Sequence, residues 1–81
     1  MSWENDGVTT AAMQLTINGE AREVDLGQGP PAIATLLSAL GLGERRVAVE
    51  VNERVIRRAL HNAYALRDGD VVEIIHFVGG G

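Results

Sequence analysis

The segment Phe77-Val78-Gly79-Gly80-Gly81 is the part of the sequence that folding alone explains least well. Glycine loses the most conformational entropy on ordering and adds no side chain to a core. Here three glycines follow the β-type run Val71 to Val78, so a rigid body would present an arm almost free of side chains. Five residues at ~3.3–3.6 Å each reach roughly 17 Å. Such an arm suits delivery of the Gly81 carboxylate into a narrow slot on another protein. A plain flexible end is the other reading of the same composition. An α-carboxyl group titrates near ~3.5, so at neutral pH it is an anion and a poor electrophile. Chemistry at Gly81 therefore requires activation, for which an acyl-adenylate made with ATP is the usual solution.

The chain offers no ATP site of its own, and the activating enzyme is expected to be a separate protein. Gly27, Gly29 and Ala32 do fit the spacing G-x-G-x-x-A, and Glu50 lies near the distance of a ribose-binding acid. The match is rejected because Pro30 and Pro31 lack the N–H donors that cradle phosphate at a helix start. The chain is also too short for a doubly wound sheet. His61 and His76 are the only histidines, and neither lies in a metal-binding spacing. No bound cofactor and no metal are expected.

With no cysteine, the chain has no thiolate ligand, thiol nucleophile or side-chain carrier of sulfur. Reactive sulfur must come from outside. All seven cations are arginines, so Schiff-base chemistry and a lysine acceptor are excluded as well. The formal charge of -4 argues against nucleic acid as a partner. No apolar run approaches the ~20 residues of a membrane-spanning helix, and the acidic start does not resemble a secretory signal, so the expected compartment is the cytosol.

The elements that would position the arm follow from periodicity. Residues Met1 to Ala12 show no apolar period and are read as a tail, leaving residues 13–81 as one small domain. Met13, Leu15 and Ile17 alternate with polar residues, Asn18-Gly19 suits a type I′ turn, and a second strand should run through Arg22, Val24 and Leu26. Pro30-Pro31 can open a helix reaching about Leu40, with Ile33, Leu36, Leu37 and Leu40 as its buried stripe and Gly41 or Gly43 at its end. Val47, Val49 and Val51 define a third strand that turns at Asn52-Glu53. Weak periodicity from Arg54 to Leu66 suggests a short strand near Val55 and then a one-turn helical or irregular connection, with Tyr64 helping to fill the interior. Asp68-Gly69-Asp70 is a turn, and the unbroken run from Val71 predicts a central strand covered on both faces or nearly so.

This order gives an α+β fold in two layers, a mixed sheet of four to five strands on one main helix, for which the β-grasp leads. Strand parity places His76 on the side of Val72 and Ile74, either as a residue of the core margin or as a contact that steadies the arm. Parity puts Glu73, Ile75 and Phe77 on the opposite face with Ala48 beside them, a docking patch for a partner unless a loop of the chain covers it. Arg45-Arg46 and Arg57-Arg58 are read as solvated, with pairing to acidic partner residues as the alternative.

The stretch Asp68-Gly69-Asp70-Val71-Val72-Glu73-Ile74-Ile75-His76-Phe77-Val78-Gly79-Gly80-Gly81 resembles the C-terminus of the ThiS family, the ubiquitin-like sulfur carriers of thiamine biosynthesis. The likeness extends more weakly to Met13, through Asn18-Gly19, Leu36-Leu37 and Val49-Glu50-Val51-Asn52. The family pattern ends in Gly-Gly, and the third glycine is a variant compatible with it. The resemblance implies a carrier that catalyses nothing itself. A ThiF-like, E1-like adenylyltransferase would adenylate Gly81 with ATP, and a cysteine desulfurase would supply sulfur as a persulfide. The resulting thiocarboxylate would donate that sulfur to a ThiG-like thiazole synthase. Val78, Gly79 and Gly80 would be the arm, and Phe77, Ile75, Glu73 and Ala48 the partner contacts. The small subunit of molybdopterin synthase, carriers for tRNA thiolation or cysteine synthesis, and a ubiquitin-like interaction module without sulfur chemistry are the alternatives.

Overall fold

The structure is a computed structural model that describes residues 12–77. Strand β1 (Ala12–Ile17) and strand β2 (Glu20–Asp25) form an antiparallel hairpin in which Ile17 pairs with Glu20. Asn18 and Gly19 between them have φ of 51° and 86°, the left-handed conformations that the type I′ turn requires. Helix α1 (Ile33–Ala39), strand β3 (Val47–Val51), strand β4 (Arg54–Ile56), a 3-10 turn (Arg58–Leu60) and strand β5 (Val71–His76) follow. The sheet order is β2-β1-β5-β3-β4, with β1 and β5 parallel and every other pair antiparallel. One helix packs on one face of this mixed five-stranded sheet, the β-grasp arrangement that the sequence suggested.

The core lies between the helix and that face. Ile33, Leu36, Leu37 and the partly buried Leu40 carry the predicted helical stripe, and Leu15, Ile17, Val24, Val47, Val49, Val51, Val72 and Ile74 meet it from the sheet. Full burial of such a side chain stabilises by about 1.5–3 kcal/mol, so these aliphatic residues supply most of the driving force. Tyr64 packs against the cluster from the long connection, and Gly41 at φ 78° ends the helix. His61 is also interior. Its Nε2–H donates to the Ile56 carbonyl at 3.0 Å, while its own carbonyl accepts from Ala34 N–H at 2.9 Å. It thereby ties the end of β4 to the first turn of α1.

Four expectations need correction. Pro30-Pro31 does not begin the helix, which starts at Ile33. Ala32 instead bridges Ala65, the Pro31 carbonyl accepts from Leu66 N–H at 2.8 Å, and the residue before a proline is biased toward extended backbone. The second strand stops at Asp25, and Leu26 enters the core from beyond it. Strand β1 begins at Ala12, which the sequence had assigned to the tail; residues 1–11 of that tail lie outside the described part. Finally, β5 is central but covered on one face only, because Val72 and Ile74 are buried whereas Val71, Glu73 and Ile75 are exposed. No described helix is long and apolar enough to cross a membrane.

Candidate functional site

Strand β5 carries the arm, and two asparagines hold its backbone from opposite sides. Asn18, in the left-handed turn after β1, accepts from Ile74 N–H at 2.7 Å and donates through Nδ2 to the Ile74 carbonyl at 3.2 Å. Asn52, at φ 51° in the turn after β3, accepts from Val71 N–H at 2.9 Å and donates to Asp70 Oδ1 at 3.0 Å. Each side-chain amide stands in for a strand residue where its own strand has already turned away. The sequence pointed to these asparagines as turn formers only. Their second role depends on which strands are neighbours, which local pattern does not reveal. Replacing Asn18 by glycine keeps the positive φ and removes the amide, so it should cost about 1 kcal/mol in urea unfolding. The same change at Asn52 should cost less, because its bonds are exposed whereas those of Asn18 are part-buried.

The last described residues leave this clamped strand in register. Val47 pairs with His76, and Phe77 N–H donates to the Arg46 carbonyl at 3.2 Å, so pairing with the β3 side continues one residue past β5. Val78, Gly79, Gly80 and Gly81 lie outside the described residues.

Strand parity holds on the face away from the helix. Ile75 and Phe77 are 48% and 60% exposed, and Ala48 sits directly opposite Ile75. No described loop covers them. Val55 on β4, 69% exposed, extends the apolar surface, and a groove of about 240 Å³ is lined by Phe77, Ala48 and Val55 with Arg46 and Arg57 at its polar edge. The sequence placed a strand at Val55 but gave the residue no part in the patch. The link comes from the register, in which Val55 faces Glu50 across β3.

Glu73 belongs to the same face, and its cross-strand partner is Glu50. Like charges directly opposite destabilise a sheet by a few tenths to about 1 kcal/mol. Glu73→Gln should therefore raise the thermal midpoint of the isolated domain slightly. A lowered midpoint would show that the pair is not repulsive.

His76 is exposed on the helix side, beside Ile17, Asn18, Arg22 and Leu42, which puts it at the margin of the core. Among the described residues no group of three or more His, Cys, Asp or Glu could hold a metal ion. The arrangement would suit a presentation device: a clamped strand, an uncovered apolar patch with an acidic flank, and a sequence that continues as Val78 and three glycines.

Comparison with known proteins gives this device relatives. The model of the ThiS family matches residues 15–81. The sulfur carrier protein ThiS of Bacillus subtilis is 37% identical over 67 residues, covering 83% of this chain and 98% of the relative. A thiazole synthase of Magnetococcus marinus is 36% identical over 69 residues, 85% of this chain, but the chain spans only 20% of that relative's length. Among solved structures, the thiamine biosynthesis protein (ThiS) of Geobacter metallireducens matches with a TM-score of 0.70 and 41% identity, over 85% of this chain and 100% of that one.

Proposed function

Because the chain belongs to the ThiS family, we propose that it is a sulfur carrier of thiamine biosynthesis whose Gly81 carboxylate is the group that is activated and loaded. The observation that carries this reading is the direction of β5. The strand is fixed by Asn18 and Asn52, leaves the sheet past the uncovered Ile75 and Phe77, and is followed in sequence by Val78-Gly79-Gly80-Gly81.

The chemistry follows from what the chain has and lacks. The Gly81 carboxylate attacks the α-phosphorus of ATP in an E1-like adenylyltransferase, and pyrophosphate leaves. A persulfide derived from a cysteine desulfurase then displaces AMP. Attack of a partner thiol on the resulting S–S bond releases the thiocarboxylate and leaves a disulfide between the two thiols of the partner proteins. The chain contributes no acid, base or cofactor to these steps, and ATP belongs to the partner. Its part is to dock and to present: Phe77, Ile75 and Ala48 fill an apolar depression on the partner, and Glu73 lies beside them in the contact. The absence of cysteine supports this role, since a nearby thiol would capture the activated acyl group.

Thiazole synthase is the proposed acceptor, supported by the matching stretch in the Magnetococcus marinus thiazole synthase. The experiment offers the thiocarboxylate form to thiazole synthase and, separately, to the large subunit of molybdopterin synthase, and follows labelled sulfur. Transfer to the thiazole product alone is expected. Transfer only to the molybdopterin enzyme would overturn the choice of client, and a chain that cannot be loaded at all would favour an interaction module without sulfur chemistry.

A further inference from the structure

Four of the seven arginines gather where the arm leaves the sheet. Arg45 and Arg46 immediately precede β3, whose first residue pairs with the last residue of β5. Arg57 and Arg58 immediately follow β4, which runs antiparallel to β3 with Val49 opposite Ile56, so they lie at that same end. Arg46 and Arg57 each adjoin a strand residue that faces the core, Val47 and Ile56, so alternation along the extended backbone turns these two toward the open face. Arg46, Arg57 and Arg58 line the groove of Phe77, and Arg45 and Arg58 line a pocket of about 180 Å³ on the helix side together with Val47 and Asn62. Among the described residues no acidic side chain lines either depression. A chain of net charge -4 thus concentrates positive charge around one exit and keeps the acidic Glu50–Glu73 pair on the open face.

We infer that Arg45, Arg46, Arg57 and Arg58 form a cationic collar that docks on acidic side chains around the mouth of the slot receiving the arm. The inference rests on the sulfur-carrier reading and identifies the chemistry of the partner's rim. A protein carboxylate fits better than a nucleotide phosphate for a geometric reason. Gly81 lies four residues beyond Phe77, so an arm extended in the slot would carry its carboxyl group up to roughly 13–14 Å away at ~3.3–3.6 Å per residue, and phosphates reacting there would be remote from the collar. The collar meets the partner's surface, and the arm alone meets the nucleotide. Opposed charges at such a rim act on encounter rate and register, and they weaken with salt.

The test uses the E1-like adenylyltransferase of the same genome and measures adenylation of the full chain and its Kd across a salt series. R45Q/R58Q and, independently, R46Q/R57Q should each weaken binding about tenfold at low salt and flatten the salt dependence. R45K/R58K should remain within about threefold of wild type, as should Arg54→Gln at the opposite end of β4. Thermal melts of every variant report folding separately. Glutamine variants that bind like wild type would overturn the collar, as would a lysine variant as weak as its glutamine counterpart. Pyrophosphate at millimolar concentration that shifts the Arg45 and Arg58 side-chain NMR signals of the isolated chain would assign the pocket to a phosphate and overturn the protein-surface assignment. A wild-type chain that is never adenylated would remove the sulfur-carrier reading itself, a result distinct from a carrier that is loaded normally without its collar.

Discussion

Appending one leucine after Gly81 should stop adenylation of the chain while leaving its melting curve unchanged. The extension moves the terminal carboxylate outward by ~3.3–3.6 Å and puts a branched side chain where the natural arm has only hydrogen. Misplacing a reacting atom by about 1 Å already costs on the order of 10²-fold in rate, so pyrophosphate release should fall by at least ~10²-fold. The fold should not respond, because the core and the clamps on β5 involve residues no later than Ile74. Deleting Gly81 should act in the same direction by withdrawing the carboxylate. Unchanged turnover of the leucine-extended chain would mean that no narrow slot reads the end of the arm.

Phe77→Ala should raise the Kd for the adenylyltransferase by about ten- to a hundredfold without loss of stability. Phe77 is 60% exposed in the free chain, and its ring is the largest apolar side chain of the open face. Burying such a ring on docking stabilises a complex by about 1.5–3 kcal/mol, and each 1.4 kcal/mol corresponds to about a factor of ten in Kd. Ile75→Ala should follow the same sign with a smaller effect, since its side chain is already half covered by its sheet neighbours. An affinity for the Phe77→Ala chain within about twofold of wild type would remove the patch from the account.

The open apolar face was legible in the sequence because it depends on the simplest periodicity there is. Alternation along Val71 to Phe77 put Ile75 and Phe77 opposite Val72 and Ile74, and the valines of β3 left Ala48 beside them. Asn18-Gly19 announced the hairpin through the positive φ both residues adopt. What depended on contacts between distant segments was not legible. The helix start was misplaced because Pro31 and Ala32 pair with Ala65 and Leu66, which no local preference reveals. The second face of β5 was expected to be covered because a continuous apolar run suits a doubly buried strand, yet among the described residues a single helix packs on one face of the sheet and nothing covers the other. The Asn18 and Asn52 clamps, the inclusion of Val55 in the patch and the convergence of two Arg-Arg pairs all require the strand order and its register.

In the proposed cycle the Gly81 carboxyl group is the reagent and the β-grasp body its holder. The most direct measurement is top-down mass spectrometry of the chain after incubation with the adenylyltransferase, ATP and a cysteine desulfurase with cysteine. The account predicts one oxygen-to-sulfur exchange, confined to the fragment that contains Gly81 and dependent on ATP. Sulfur found on any other fragment, or an unmodified Gly81 in a chain that still supports thiazole formation, would contradict it.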